Sequence, residues 1–106
     1  IMFIGVAYKP NIDDARESPA LDIMDITSYK GGDVSYHDPY IENVKTNEGR
    51  TFVSVQLSQE TLENADCVVL STNHMGCDVE FIKKNSTLIV DLRNMISEKD
   101  DNIYKL

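Results

Sequence analysis

Two cations stand in an otherwise acidic stretch near the start of the chain: Lys9 and Arg16, within Tyr8-Lys-Pro-Asn-Ile-Asp-Asp-Ala-Arg-Glu-Ser-Pro19. Lysine offers a point charge and arginine a planar fork, and both suit phosphate oxygens. Ser18 and Pro19 then open a helix, whose N-terminus adds partial positive charge nearby. Charge pattern alone favours a plainer reading. In it Asp13 and Asp14 cap a turn, Asp14 to Glu17 closes on itself like a capping box, and Lys9 and Arg16 only neutralise acids. Asp13 and Asp14 are adjacent, so their side chains diverge on most backbones and make a poor acid–base pair. His37 and His74 each follow a strand-like run, and His74 is a candidate for lining a cleft. Two histidines and scattered acids form no recognisable metal site. Cys67 sits in an apolar run that predicts core packing, and Cys77 sits in a loop with no sign of thiolate activation. No catalytic residue is assigned.

The elements that must position these groups follow from periodicity. Residues 1–7, 66–72 and 87–92 are continuous apolar runs, the mark of strands covered on both faces. Residues 33–37 make a shorter strand after the Gly31-Gly32 helix stop. In 52–57, Val53, Val55 and Leu57 alternate with polar residues, which predicts an edge strand. Ala20, Ile23, Met24 and Thr27 share one face of the first helix. Further helices are expected at 58–65, capped by Ser58, and near 78–84. Residues 40–51 read as loop, and the tail after Asn94 is ambiguous.

This alternation predicts an α/β fold: a three-layer, Rossmann-like parallel sheet of about five strands with helices on both faces. The apolar pattern predicts the order 3-2-1-4-5. Ligands of such sheets sit beyond the carboxyl ends of the strands, which receive residues 8–18, 37–40, 72–77 and 91–95. Gly5 is followed by Val-Ala-Tyr-Lys, so the Gly-x-Gly-x-x-Gly dinucleotide fingerprint is missing.

The chain has 106 residues, enough for one domain, and 42% are hydrophobic, enough for a core. With 10 Lys plus Arg against 18 Asp plus Glu, the net charge is −8, which argues against a nucleic-acid partner. No apolar run approaches the roughly 20 residues of a membrane span. Two cysteines give no disulfide framework, so a reducing cytoplasm is the expected setting. The chain opens inside a strand-like run, which suggests a piece of a longer protein.

Gly5-Val-Ala-Tyr-Lys-Pro-Asn-Ile-Asp-Asp-Ala-Arg-Glu-Ser-Pro-Ala20 resembles the signature that opens the C-terminal domain of the UDP-glucose/GDP-mannose dehydrogenase family. Tyr36-His-Asp-Pro39, Glu63-Asn-Ala-Asp-Cys-Val-Val69, Ser71-Thr-Asn-His74 and Asp91-Leu-Arg-Asn94 are similar to later family segments, in the right order. The resemblance implies that residues 1–106 are a single UDP-sugar-binding domain, inactive alone. The parent is then an NAD-dependent UDP-sugar 6-dehydrogenase, which oxidises the sugar C6 alcohol to a carboxylate. It also implies that Tyr8 and Lys9 contact the UDP-sugar, Arg93 reaches substrate across a domain or subunit boundary, and Arg16 faces the NAD phosphates. NAD itself is held mainly by an N-terminal domain. A central helical region supports dimerisation, so a homo-oligomeric parent is expected. The motif is most similar to the branch acting on UDP-N-acetylmannosamine or UDP-N-acetylglucosamine; UDP-glucose stays open. A free-standing nucleotide-binding or interaction module is the alternative. A receiver-like domain lacks support, because the first strand ends in Val6-Ala7 without an acidic phosphoacceptor.

Overall fold

Strands that are apolar on both faces need cover on both, and β1 (Met2–Ile4) has it along its whole length. The computed structural model describes residues 1–7, 18–72, 74, 77–97 and 100–105. In it β1 pairs in parallel with β2 (Ser35–His37) on one side and β5 (Val68–Leu70) on the other. β6 (Ile89–Asp91) pairs with β5, and β7 (Ile103–Lys105) pairs with β6. The sheet therefore has five parallel strands in the order β2-β1-β5-β6-β7.

The pleat sends alternate side chains to opposite faces, and two cores result. Phe3, Tyr36 and Val69 pack with Leu21 and Met24 of α1 (Pro19–Tyr29). Met2, Ile4, Val68, Leu70 and Ile89 pack with Leu62 of α2 (Gln59–Asn64) and Ile82 of α3 (Val79–Asn85). The architecture is the expected three-layer α/β sandwich. The Cα radius of gyration is 12.7 Å, close to the roughly 13 Å of a 100-residue domain. Among the described residues, no helix is long and apolar enough to cross a membrane.

The helix starts are those the sequence predicts. Ser18 caps α1 by accepting from Ala20 N–H at 3.3 Å, with Pro19 following. Ser58 and Thr61 form a reciprocal capping box on α2, and Asp78 accepts from Phe81 N–H on α3. α1 stops at Gly31, whose φ of +92° is the left-handed conformation that ends helices.

Three details differ from the sequence expectation. First, residues 40–51 are not all loop, and 52–57 is not a strand of the main sheet. Instead β3 (Asn43–Lys45) and β4 (Thr51–Val53) form an antiparallel hairpin. The alternation breaks at Ser54. Phe52 packs on the α1 side, Val53 is 66% exposed, and Val55 and Leu57 pack on the opposite core. Residues 54–55 still border β2, with Val55 N–H bonding Tyr36 O at 2.8 Å. Second, the fifth sheet position is filled by β7, from the tail that carried no clear pattern. Third, the buried face of α1 is rotated. Ala20, Leu21, Met24 and Asp25 are buried, whereas Ile23 is 37% exposed. The hairpin explains the rotation, because it covers the side of α1 that bears Asp25.

Asp25 is the polar fastener of that contact. It accepts from Arg50 Nη1 at 3.2 Å and from Glu48 N–H at 3.3 Å. Burial by itself pushes its carboxyl up. Bonds from the Thr46 hydroxyl, Glu48 N–H and Arg50, with the Arg50 charge, outweigh burial and hold it below the ordinary 3.8. A depressed folded-state value means stability that is present above about pH 3.8 and is lost as pH falls through the lower, folded-state value. Urea midpoints of the parent and Asp25→Asn, measured from pH 6 to pH 2, should therefore differ most at the neutral end and converge at the acid end. Parallel curves would show that Asp25 contributes no such linkage.

Candidate functional site

The carboxyl ends of β1, β2 and β5 meet at one point, and Gly5 lets them approach. Its φ is +88°, and a Cβ there would lie 2.5 Å from Thr72 Cβ and 2.9 Å from Thr72 O. Only glycine tolerates both the conformation and the contact. Gly5 N–H donates to His37 O at 2.8 Å, and Ser71 Oγ donates to Gly5 O at 2.5 Å.

Asp38 sits at the centre, with its side chain fully buried. Its Oδ2 accepts from Val6 N–H at 2.8 Å and Ala7 N–H at 3.2 Å, and lies 2.9 Å from His74 Nε2. Its Oδ1 accepts from Tyr40 N–H at 2.8 Å. A carboxylate oxygen only accepts, so the His74 proton on that side belongs on Nε2. The Tyr40 and His74 rings stand 4.7 Å apart, tilted by 46°. His37 Nδ1 lies 2.8 Å from Val55 O, a carbonyl acceptor, and so donates.

A cleft of about 270 Å³ here is lined by Ile4, Gly5 and Leu57 together with His37, Tyr40, Thr72 and His74. That volume is just below the roughly 300–1,000 Å³ of small-molecule pockets. The chain leaves Ala7 beside it and enters the segment 8–17.

Comparison with known proteins shows the family of the chain. Residues 2–98 match the model of the UDP-glucose/GDP-mannose dehydrogenase family, UDP binding domain. The chain belongs to this family. A UDP-N-acetyl-D-mannosamine dehydrogenase of Campylobacter jejuni is 38% identical over 93 residues, covering 85% of this chain and 22% of that protein. A UDP-glucose 6-dehydrogenase of Rickettsia typhi is 32% identical over 106 residues, covering 93% of this chain and 24% of that protein. The structure of a UDP-D-ManNAc dehydrogenase from Pyrococcus horikoshii superposes with a TM-score of 0.73 at 29% identity, over 98% of this chain and 24% of that one. The UDP binding domain thus spans about a quarter of the length of the relatives it matches.

His74, the candidate for lining a cleft, does line it. Arg93 stands apart from the cleft lining, exposed on the turn after β6. That turn is built by buried Asp91, which accepts from the N–H groups of Arg93, Met95 and Ile96 at 3.1, 3.1 and 2.8 Å. Asn94 takes a φ of 56° within it. Tyr8, Lys9 and Arg16 lie outside the described residues. Asp38, Tyr40 and Thr72 were not singled out from sequence. The Asp-Pro pair closing β2 was the available signal, since a short acid at a strand end bonds nearby backbone N–H groups.

Both cysteines are half-buried. Cys67 packs against the α1-side core and Cys77 against the other, where it also borders the cleft. Burial pushes both thiols up, and the Asp78 charge adds to this at Cys77. An activated nucleophile needs the opposite shift. Among the described residues, no group of three or more His, Cys, Asp or Glu side chains is placed to hold a metal ion. Among the described residues at the β1 exit, the close backbone approach at Gly5 is filled by Thr72.

Proposed function

We propose that this chain is the nucleotide-sugar-binding domain of an NAD-dependent UDP-sugar 6-dehydrogenase that oxidises a C6 alcohol to a carboxylate. The observation that carries this is the convergence of the β1, β2 and β5 ends on one cleft, at the root of the segment bearing Tyr8 and Lys9. In a chain of net charge −8, a diphosphate needs cations gathered locally; Lys9 follows β1 closely in sequence, while Arg93 stands on the turn after β6. Tyr8 and Lys9 contact the UDP-sugar, and His74 helps wall the cleft. Arg93 reaches substrate where a neighbouring domain or subunit completes the site. Arg16 faces the NAD phosphates, while NAD and the chemistry belong to the rest of the parent, a homo-oligomer in the cytoplasm. The substrate is UDP-N-acetylmannosamine or UDP-N-acetylglucosamine. A UDP-glucose substrate is the second reading, favoured by the Rickettsia typhi similarity.

Calorimetric titration of the chain with UDP, uridine and the three UDP-sugars tests this. UDP and its sugars should bind, and uridine far more weakly. Lys9→Ala should weaken UDP binding by about 10- to 100-fold, since a hydrogen bond to a charged group contributes roughly 1.5–3 kcal/mol. Equal affinity for parent and variant would remove Lys9 from the site.

A further inference from the structure

We infer that Asp38, together with Thr72, is a positioning residue for UDP binding: it holds the end of β1, at Val6 and Ala7, against the Tyr40–His74 wall of the cleft. The inference rests on the reading of the cleft as the UDP site. Its evidence is the peptide group on either side of Ala7. The Ala7 N–H bonds Asp38 Oδ2 and the Ala7 carbonyl accepts from Thr72 Oγ1 at 3.0 Å. Val6 N–H is held by the same carboxylate oxygen. The last residue before the segment is therefore clamped on both sides, by groups from the ends of β2 and β5.

Asp38 is itself clamped. Its N–H bonds Ser54 Oγ at 2.9 Å, and the Ser54 hydroxyl bonds Asp38 O at 3.3 Å. Its carboxylate is fully buried, so it does not touch a diphosphate. A bare acid at that spot would repel one, whereas an acid surrounded by N–H donors from Val6, Ala7, Tyr40 and His74 is largely compensated. Through those donors one side chain ties the root of the 8–17 segment to the Tyr40–His74 wall. A displacement of about 1 Å at such a root is enough to spoil a phosphate contact.

The test uses Asp38→Asn and Thr72→Val, with Asp25→Asn as a control that removes a buried carboxylate from the α1–hairpin contact instead. Asparagine keeps the size of Asp38 but turns an amide donor toward at least one N–H. UDP affinity is measured by calorimetry well below each melting temperature, and backbone amide shifts by NMR. Asp38→Asn should weaken UDP binding tenfold or more and Thr72→Val about threefold, with shift changes concentrated at residues 6–9. Asp25→Asn should bind as the parent does, even if it melts as early. Affinities within twofold of the parent for both site variants would overturn the inference. So would a loss shared equally by Asp25→Asn. If Asp38→Asn does not fold, Thr72→Val decides alone. If the parent chain does not bind UDP, the reading of the cleft fails. The positioning claim is then judged by the amide shifts, and unmoved resonances at Val6 and Ala7 overturn it.

Discussion

Gly5→Ala is expected to lower the stability of this domain by about 3 kcal/mol. A non-glycine residue at left-handed φ costs roughly 1–2 kcal/mol, and Gly5 has a φ of +88°. The new methyl would also meet Thr72 Cβ at 2.5 Å and Thr72 O at 2.9 Å. Part of that collision is with backbone, which cannot rotate away, so overpacking adds roughly 1–3 kcal/mol. For a domain of this size the sum is a fall in melting temperature of roughly 10–20 °C. The variant that survives should also bind UDP poorly, because β1 and β5 part at the cleft. Chemical denaturation monitored by circular dichroism reads the first effect. A loss under about 1 kcal/mol would show that the β5 exit shifts freely.

Asp91→Ala should be as costly, for a different reason. The buried carboxylate satisfies three N–H groups at the end of β6, those of Arg93, Met95 and Ile96. Each buried donor left without a partner costs roughly 1–3 kcal/mol, and relaxation of the turn recovers part of it. A net loss of about 3 kcal/mol is expected. Asp91→Asn should recover part of this, since its carbonyl keeps one set of bonds. The functional consequence lies at Arg93, whose backbone is held by this turn. On the proposed role of Arg93, Asp91→Asn in the parent enzyme should raise the UDP-sugar KM with Arg93 still present, as Arg93→Ala should. A normal KM for both would remove the β6 turn from substrate binding.

Asp38 and Asp91 do the same structural work at two strand ends, and in the sequence both stood only within segments similar to the family's, Tyr36-His-Asp-Pro39 and Asp91-Leu-Arg-Asn94. What was legible has a local cause. The runs at 1–7, 66–72 and 87–92 are apolar on both faces, and only a covered parallel strand buries both. Ser18-Pro19 and Ser58 mark helix starts because a cap satisfies N–H groups within two or three residues. The alternation of these elements was enough to determine the α/β layers. The Tyr8–Pro19 motif and its later companions were enough to determine the family, which the match over residues 2–98 bears out.

Other features depended on partners far along the chain. The alternation from Phe52 to Leu57 reads as one strand, yet its apolar side chains divide between two cores, because the hairpin folds over α1 before the chain turns along β2. Ile23 has the right spacing for the core, but Asp25 takes the buried side, since Arg50 and Glu48 arrive there from the hairpin. β7 had no pattern of its own because it is an edge strand, with Tyr104 60% exposed. At the site, sequence singled out cations and a histidine, the groups that can meet a phosphate or line a cleft. Tertiary structure alone brought Val6, Ala7 and His74 onto one buried carboxylate. A hydrogen bond between residues more than thirty positions apart leaves no periodicity in a sequence; it exists only once three strands are side by side.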